Sequence, residues 1–138
     1  MEVLIAESSQ VLRKSLVRIV NTLPGRTRVF EVENYTQFKQ EFARVSPRMV
    51  LLDLFLAGGE GFSMLDRIVE QYDRCQIVVL LDNYDESLAK RARKRGVRAV
   101  FSKSDNLFSS MLELSKSMQK VPSTKHYSKP ATVENQID

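Results

Sequence analysis

Short apolar runs rich in β-branched residues alternate five times with stretches whose apolar residues recur every three or four positions. The first pattern is typical of buried β-strands and the second of amphipathic helices, so the alternation predicts βα units and a parallel sheet. Several runs are apolar at every position, as expected for strands covered on both faces. We therefore predict an α/β fold, a doubly wound five-stranded parallel sheet in a three-layer sandwich. The predicted strands cover residues 3–6, 28–32, 49–55, 77–81 and 99–102.

The segments between the strands carry signals for helix starts. Asn34 stands three residues before Gln37, the spacing of a capping box at the start of the second helix. The third helix should begin after the glycine-containing loop at residues 57–61, and the fourth should span about residues 86–95. Asp105 is the predicted N-cap of the fifth helix.

The composition bounds the class of protein. Of the 138 residues, 43% are hydrophobic, which is enough for one ordinary core. No apolar run approaches the roughly 20 residues of a membrane-spanning helix, and the N-terminus lacks the basic and long apolar regions of a signal peptide. We therefore expect a cytoplasmic protein. A single Cys75 excludes a disulfide framework, and together with one His126 it leaves too few soft ligands for a zinc site.

The composition changes near the C-terminus. Residues 121–138 contain two prolines, no periodicity and almost no large apolar side chains. Such a segment buries too little apolar surface to order itself. We predict one domain over residues 1–120, followed by a disordered tail or linker stub at 121–138.

Three ionisable residues lie at or just beyond the ends of predicted strands. Glu7 follows the first strand, Asp53 lies near the end of the third and Lys103 follows the fifth. In an open parallel sheet, ligands bind beyond the carboxyl ends of the strands, where the strand order reverses. Asp53 stands in the apolar run MVLLDLFL, where an acid is costly to desolvate without a partner. These residues therefore predict a charged site at that edge.

Three segments carry a resemblance to a known family. These segments are MVLLDLFLAGGEGFSMLDRI, VLIAESSQVLRKSL near the N-terminus, and GVRAVFSKSDNLFSSML. They resemble the receiver domains of bacterial two-component response regulators, and the resemblance extends from residue 3 to about 119. The last segment is similar to that of single-domain, chemotaxis-type regulators. The resemblance implies the flavodoxin-like (βα)5 fold and a signalling module rather than an enzyme.

The resemblance also implies roles for the strand-end residues. Asp53 would accept a phosphoryl group from a histidine kinase or a phosphotransfer protein, and Lys103 would hold a phosphoryl oxygen. A weakly bound Mg²⁺ would take Glu7, Asp53 and the backbone carbonyl of Phe55 as protein ligands, with Ser8 as a further candidate. A carboxylate attacking an anionic phosphoryl group needs such positive charge beside it.

The sequence departs from the family's pattern at the switch positions. Glu7 and Ser8 stand where the family usually has two adjacent acids, which should weaken metal binding. The family position at the end of the fourth strand that is normally Ser or Thr aligns with Leu81, or with Asp82 when the alignment is shifted by one residue. The aromatic position of the fifth strand falls on Val100. The hydroxyl and aromatic side chains of the usual switch are therefore missing at these positions.

The formal net charge of +4 is concentrated in residues 90–98, which hold six Lys or Arg. We weigh a solvated helix face against a docking surface for a downstream protein, formed by the fourth helix, fifth strand and fifth helix. Nucleic acid is disfavoured because this short helix offers neither a groove-sized element nor stacking aromatics. No membrane contact is expected, and we expect a monomer or weak homodimer.

Two classes of function are consistent with these sequence features. The first is a phosphorelay receiver that signals by protein contact. The alternative is a pseudo-receiver, a phosphorylation-independent interaction module in which Leu81 and Val100 fix one conformation. A phosphohydrolase with an aspartate nucleophile would need a second acid two residues after Asp53, where this chain has Phe55.

Overall fold

Five strands and five helices alternate along the chain in a computed structural model that describes residues 1–72 and 74–119. The strands are β1 (Glu2–Ala6), β2 (Arg28–Val32), β3 (Met49–Asp53), β4 (Gln76–Leu81) and β5 (Ala99–Ser102). The helices are α1 (Gln10–Thr22), α2 (Tyr35–Val45), α3 (Phe62–Gln71), α4 (Glu86–Lys94) and α5 (Leu107–Gln119).

All strand pairs are parallel, and the sheet order is β2-β1-β3-β4-β5. The chain moves outward from β1 to β2 and then crosses back to β3 on the other side of β1. The order therefore reverses between β1 and β3, and a crevice opens beyond their carboxyl ends. The predicted doubly wound five-stranded α/β fold is confirmed.

Successive residues of each strand feed two separate cores. In β1, Val3 and Ile5 pack with α1 and α5, whereas Leu4 and Ala6 pack with α2, α3 and α4. A strand that buries both faces has no polar side to alternate with its apolar one, which explains the unbroken apolar runs of the sequence.

Local hydrogen bonds set the element ends. Asn34 Oδ1 accepts from Gln37 N at 2.8 Å, so the predicted cap of α2 is confirmed. The predicted cap of α5 is one residue off, because Asn106 Oδ1 accepts from Ser109 N at 3.1 Å, and Asn106, not Asp105, holds the first turn. Strand β3 ends two residues earlier than predicted because the chain turns after Asp53, where Leu56 N donates to the Asp53 carbonyl.

Among the described residues, no helix has the length and apolar character to cross a membrane. The predicted tail at 121–138 lies outside the described residues.

Candidate functional site

Asp53 is the last residue of β3 and is almost fully buried. Its Oδ1 accepts a hydrogen bond from Phe55 N at 2.9 Å, and its Oδ2 lies 3.2 Å from Lys103 Nζ. The turn after β3 therefore fixes one carboxylate oxygen and directs the other towards the lysine.

Lys103 follows β5, and its backbone N donates to the carbonyl of Leu81 at 2.7 Å, which fixes the residue beside the end of β4. Its ammonium contacts three carboxylates, at 2.9 Å from Glu7 Oε1, 3.2 Å from Asp53 Oδ2 and 3.1 Å from Asp82 Oδ1. Burial lowers the pKa of Lys103, but these carboxylates raise it by more, and the net shift is upward. Lys103 is therefore charged at neutral pH.

Glu7 follows β1 and is 2% exposed. Its Oε2 accepts from Ser9 N at 2.9 Å, in the turn that leads into α1. Its Oε1 lies beside the Lys103 ammonium but has no hydrogen bond of good geometry with any described residue, so the contact is an ion pair without full hydrogen bonding. The structure thus brings the three sequence-predicted charges together at one point, with two negative charges in excess once Asp82 is included.

Magnesium would suit this arrangement in part. The incompletely hydrogen-bonded Glu7 Oε1 is a buried oxygen next to the Asp53 carboxylate, and Mg²⁺ needs only one or two protein carboxylates because waters complete its shell. No group of three or more His, Cys, Asp or Glu arranged as a metal site occurs in residues 1–72 and 74–119. The residues that would hold the ion are Glu7, Asp53 and the carbonyl of Phe55.

Ser8 is engaged with backbone atoms. Its hydroxyl donates to the Glu33 carbonyl at 3.1 Å and accepts from Ala57 N at 3.3 Å, so it ties the loops after β1, β2 and β3 to one another. A metal contact from Ser8 would have to share a hydroxyl that already has two partners.

The two switch positions carry side chains that serve the core. Leu81 is 1% exposed and packs with the residues between the sheet and α2, α3 and α4. Val100 packs against the same cluster. Neither residue has the polar or aromatic group that the family commonly places there, and Asp82, the next residue after Leu81, is the one that reaches Lys103.

Two polar features of the site were missed in the sequence. Arg13 is 9% exposed, and its guanidinium donates to the Glu7 carbonyl at 2.8 Å and to Glu31 at 3.2 Å. It shares the buried stripe of α1 with Leu16 and Val20, and a charge on that stripe was the signal that could have revealed it. It fixes the backbone of the residue whose carboxylate faces Lys103.

The second missed feature is a pair of serines around Lys103. The Ser102 and Ser104 hydroxyls lie 2.7 Å apart, and Ser102 Oγ also donates to the Asp82 carbonyl at 3.5 Å. The pair joins the ends of β4 and β5 and so fixes the backbone on both sides of the lysine.

Two arginines of the basic run lie over an aromatic ring of α3. The guanidinium groups of Arg91 and Arg95 lie 4.1 Å and 4.5 Å from the centre of the Phe62 ring at the start of α3. Arg95 also pairs with Asp66 at 2.6 Å. These two arginines therefore attach α4 to α3, although Arg91 remains exposed to solvent.

The rest of the run is divided between local partners and solvent. Arg93 pairs with Glu86 at 3.1 Å, and Arg98 donates to Ser117 Oγ of α5 at 2.8 Å. Lys90 and Lys94 are exposed and form no ion pair within the part of the chain that the structure describes.

Solved structures of known proteins share the fold. The signal receiver domain of a DNA-binding response regulator protein (merR) from Colwellia psychrerythraea 34H is 20% identical, with 88% of this chain and 99% of that chain covered at a TM-score of 0.80. A response regulator from Thermotoga maritima is also 20% identical, covering 87% and 98% at 0.75. The signal receiver domain of a putative Luxo repressor protein from Vibrio parahaemolyticus is 24% identical, covering 86% and 92% at 0.73.

No curated protein matches the chain. The family model described as the response regulator receiver domain matches residues 3–113, which is most of the sequence. That match includes Glu7, Asp53 and Lys103. The chain belongs to the response regulator receiver domain family, whose members act in phosphorelay signalling.

Proposed function

We propose that this receiver accepts a phosphoryl group on Asp53 from a histidine kinase or a phosphotransfer protein. The observation that carries the proposal is the Asp53 carboxylate at the end of β3, with Oδ2 3.2 Å from the charged Lys103 ammonium. Both groups lie beside the strand-order reversal, which is where open α/β sheets bind ligands.

The transfer needs a nucleophile and a means of holding negative charge. An Asp53 carboxylate oxygen forms the new O–P bond as the P–N bond of the phosphohistidine breaks, and the departing nitrogen keeps the electron pair and takes up a proton. Lys103 contacts the phosphoryl oxygens, and Glu7 keeps the ammonium aligned with Asp53. Bound Mg²⁺ would supply further positive charge to the same oxygens.

The output in this proposal is a protein contact on the face formed by α4, β5 and α5. Lys90 and Lys94 of α4 are exposed and form no ion pair among the described residues, so the partner presents acidic groups. Contacts between exposed charges weaken with salt, because the Debye length falls as ionic strength rises.

Phosphoramidate with Mg²⁺ tests the proposal directly. We expect one phosphoryl mass on the wild-type chain by intact mass spectrometry and none on Asp53→Asn, because the amide is not a nucleophile. Asp66→Asn is the control, since it removes an acid on α3 that pairs with Arg95 and not with Lys103. Modification that persists in Asp53→Asn would exclude Asp53 as the acceptor.

A phosphorylation-independent interaction module is the second candidate. It is favoured by Leu81 and Val100, which offer no hydroxyl and no ring at the switch positions and are packed against the core. In that case neither Mg²⁺ nor phosphoramidate changes the mass of the wild-type chain or its contact with a partner.

A further inference from the structure

Three carboxylates share the Lys103 ammonium, and they differ in how firmly they are held. Glu7 and Asp53 are buried, and each accepts a backbone hydrogen bond at 2.9 Å, from Ser9 N and Phe55 N. The Asp82 side chain is 75% exposed, and Lys103 is its one side-chain partner among the described residues. Asp82 is therefore the carboxylate that can leave the ammonium at the lowest cost.

We propose that Asp82 is a displaceable counter-ion of Lys103, which competes with phosphoryl oxygens for the ammonium and thereby slows modification of Asp53. The rate effect rests on the proposed phosphoacceptor function, whereas the competition for Lys103 does not. An incoming phosphoryl group carries negative charge on acceptor oxygens, as a carboxylate does, so both bind the same donor.

The geometry makes this competition a matter of side-chain rotation. The Asp82 backbone is held through its carbonyl, which accepts from Ser102 Oγ, and Lys103 N is bonded to the neighbouring Leu81 carbonyl. The Asp82 carboxylate is exposed, so water solvates it once it is released, and Lys103 keeps Glu7 and Asp53 as counter-ions. Asp82 can thus swing into solvent while β4 and β5 stay paired.

Charge gives Asp82 a second effect. With Asp82 the cluster holds three carboxylates and one ammonium, and an anionic phosphodonor must approach this excess of negative charge. Local charge of this kind alters the approach of charged ligands by about tenfold or more at low salt. Removing the Asp82 charge should therefore free Lys103 and reduce repulsion at the same step.

The test compares Asp82→Asn with a matched loss of charge elsewhere on the same edge. Asp105 lies in the exposed loop after β5, and no salt bridge to it occurs in the described residues. With phosphoramidate and Mg²⁺, we expect Asp82→Asn to be modified at least about fivefold faster than wild type, and Asp105→Asn to match wild type. A rate unchanged in Asp82→Asn, or raised equally in Asp105→Asn, would overturn the assignment.

A binding measurement separates this proposal from the phosphoacceptor function. Inorganic phosphate titrated into labelled protein, followed through the Lys103 side-chain resonance, should bind more tightly to Asp82→Asn than to wild type. Tighter binding without modification of any variant would retain the counter-ion and reject the acceptor function. Modification of Asp53 with equal rates and equal phosphate affinities in the two proteins would retain the acceptor and reject the counter-ion.

Discussion

Two partly buried ionisable side chains of this receiver differ in whether a charged partner offsets the effect of burial on the pKa. The Lys103 side chain is 14% exposed, and burial alone would lower its pKa, but three carboxylates raise that pKa overall. Cys75 has no charged partner among the described residues, and burial raises the pKa of its thiol to about 12. The first group is therefore buried in its charged form and the second in its neutral form.

Cys75 should consequently be a poor nucleophile in the folded protein. Its thiol donates to the Gln76 carbonyl at 3.6 Å, and at pH 9 very little of it is thiolate. We expect alkylation by iodoacetamide at pH 9, followed by intact mass, to be at least about tenfold slower than in the urea-unfolded chain, where a cysteine ionises near 8.5. Equal rates in the two states would show that the thiol is not protected.

The same shift predicts how stability changes with pH. A thiol whose pKa is higher in the folded state stabilises that state fully below about pH 8.5, and the contribution is lost as pH rises towards 12. The free energy of unfolding, measured with urea, should therefore fall more steeply with pH in wild type than in Cys75→Ala between about pH 8.5 and 10. This range lies below the ordinary pKa of lysine. Parallel curves for the two proteins would contradict this linkage.

Individual site residues differed in how far the sequence could predict them. Asp53 ends β3 and Lys103 follows β5, and their contact required only that the strand ends share one edge of a parallel sheet. The contact of Asp82 with Lys103 depended on side-chain direction just beyond β4, which periodicity does not specify. Arg13 was missed because an arginine within an apolar helix stripe is ordinarily expected at the surface.

Among the elements, α4 is the one whose attachment the sequence described least well. Its buried apolar residues are few, Ala89 and Ala92, and Arg91 and Arg95 add contacts with the ring of Phe62 in α3. The basic run suggested a surface open to a partner, yet two of its six cations cover an aromatic ring. The sequence shows where the charges lie along the chain but not which aromatic ring a guanidinium group contacts.

Phe62→Leu should loosen α4 selectively. The substitution keeps an apolar side chain but removes two cation–π contacts, each worth about 0.5–1 kcal/mol at such sites. We expect the free energy of unfolding to fall by about 1–2 kcal/mol, and the amides of Ala89 and Ala92 to exchange faster with deuterium. Phe108→Leu, at an exposed phenylalanine of α5, is the control and should leave α4 exchange unchanged. Equal exchange in Phe62→Leu and wild type would mean that the arginines do not hold the helix.

At the scale of the whole molecule, the sheet determines where chemistry is possible. Alternating runs predicted the five βα units, and the strand order β2-β1-β3-β4-β5 then brings Glu7 and Asp53 to the central crevice. That part of the fold follows from local patterns and the general rules for parallel sheets. The site's internal pairing does not, because it depends on side chains from the ends of four strands meeting within a few ångströms.

The path by which a signal could leave the site is restricted by the same packing. A ligand shifts a conformational equilibrium only by the difference in its contacts with the two states. The Leu81 side chain is in the core and has no hydroxyl, Val100 has no ring to reorient, and Phe62 attaches α4 to α3. The consequence of phosphorylation should therefore stay near the phosphoryl group.

A beryllofluoride complex on Asp53, with Mg²⁺, provides the measurement. We expect amide resonances to shift at Asp53, at residues 58–61, at Asp82 and at Lys103, with little change across residues 90–98, because Leu81 and Val100 carry no group that could form a new contact with the phosphoryl group and pass it on to α4. Asp53→Asn should show none of these shifts. Large shifts throughout α4 in wild type would refute the local response and imply a second arrangement of α4 in which Arg91 and Arg95 leave the Phe62 ring.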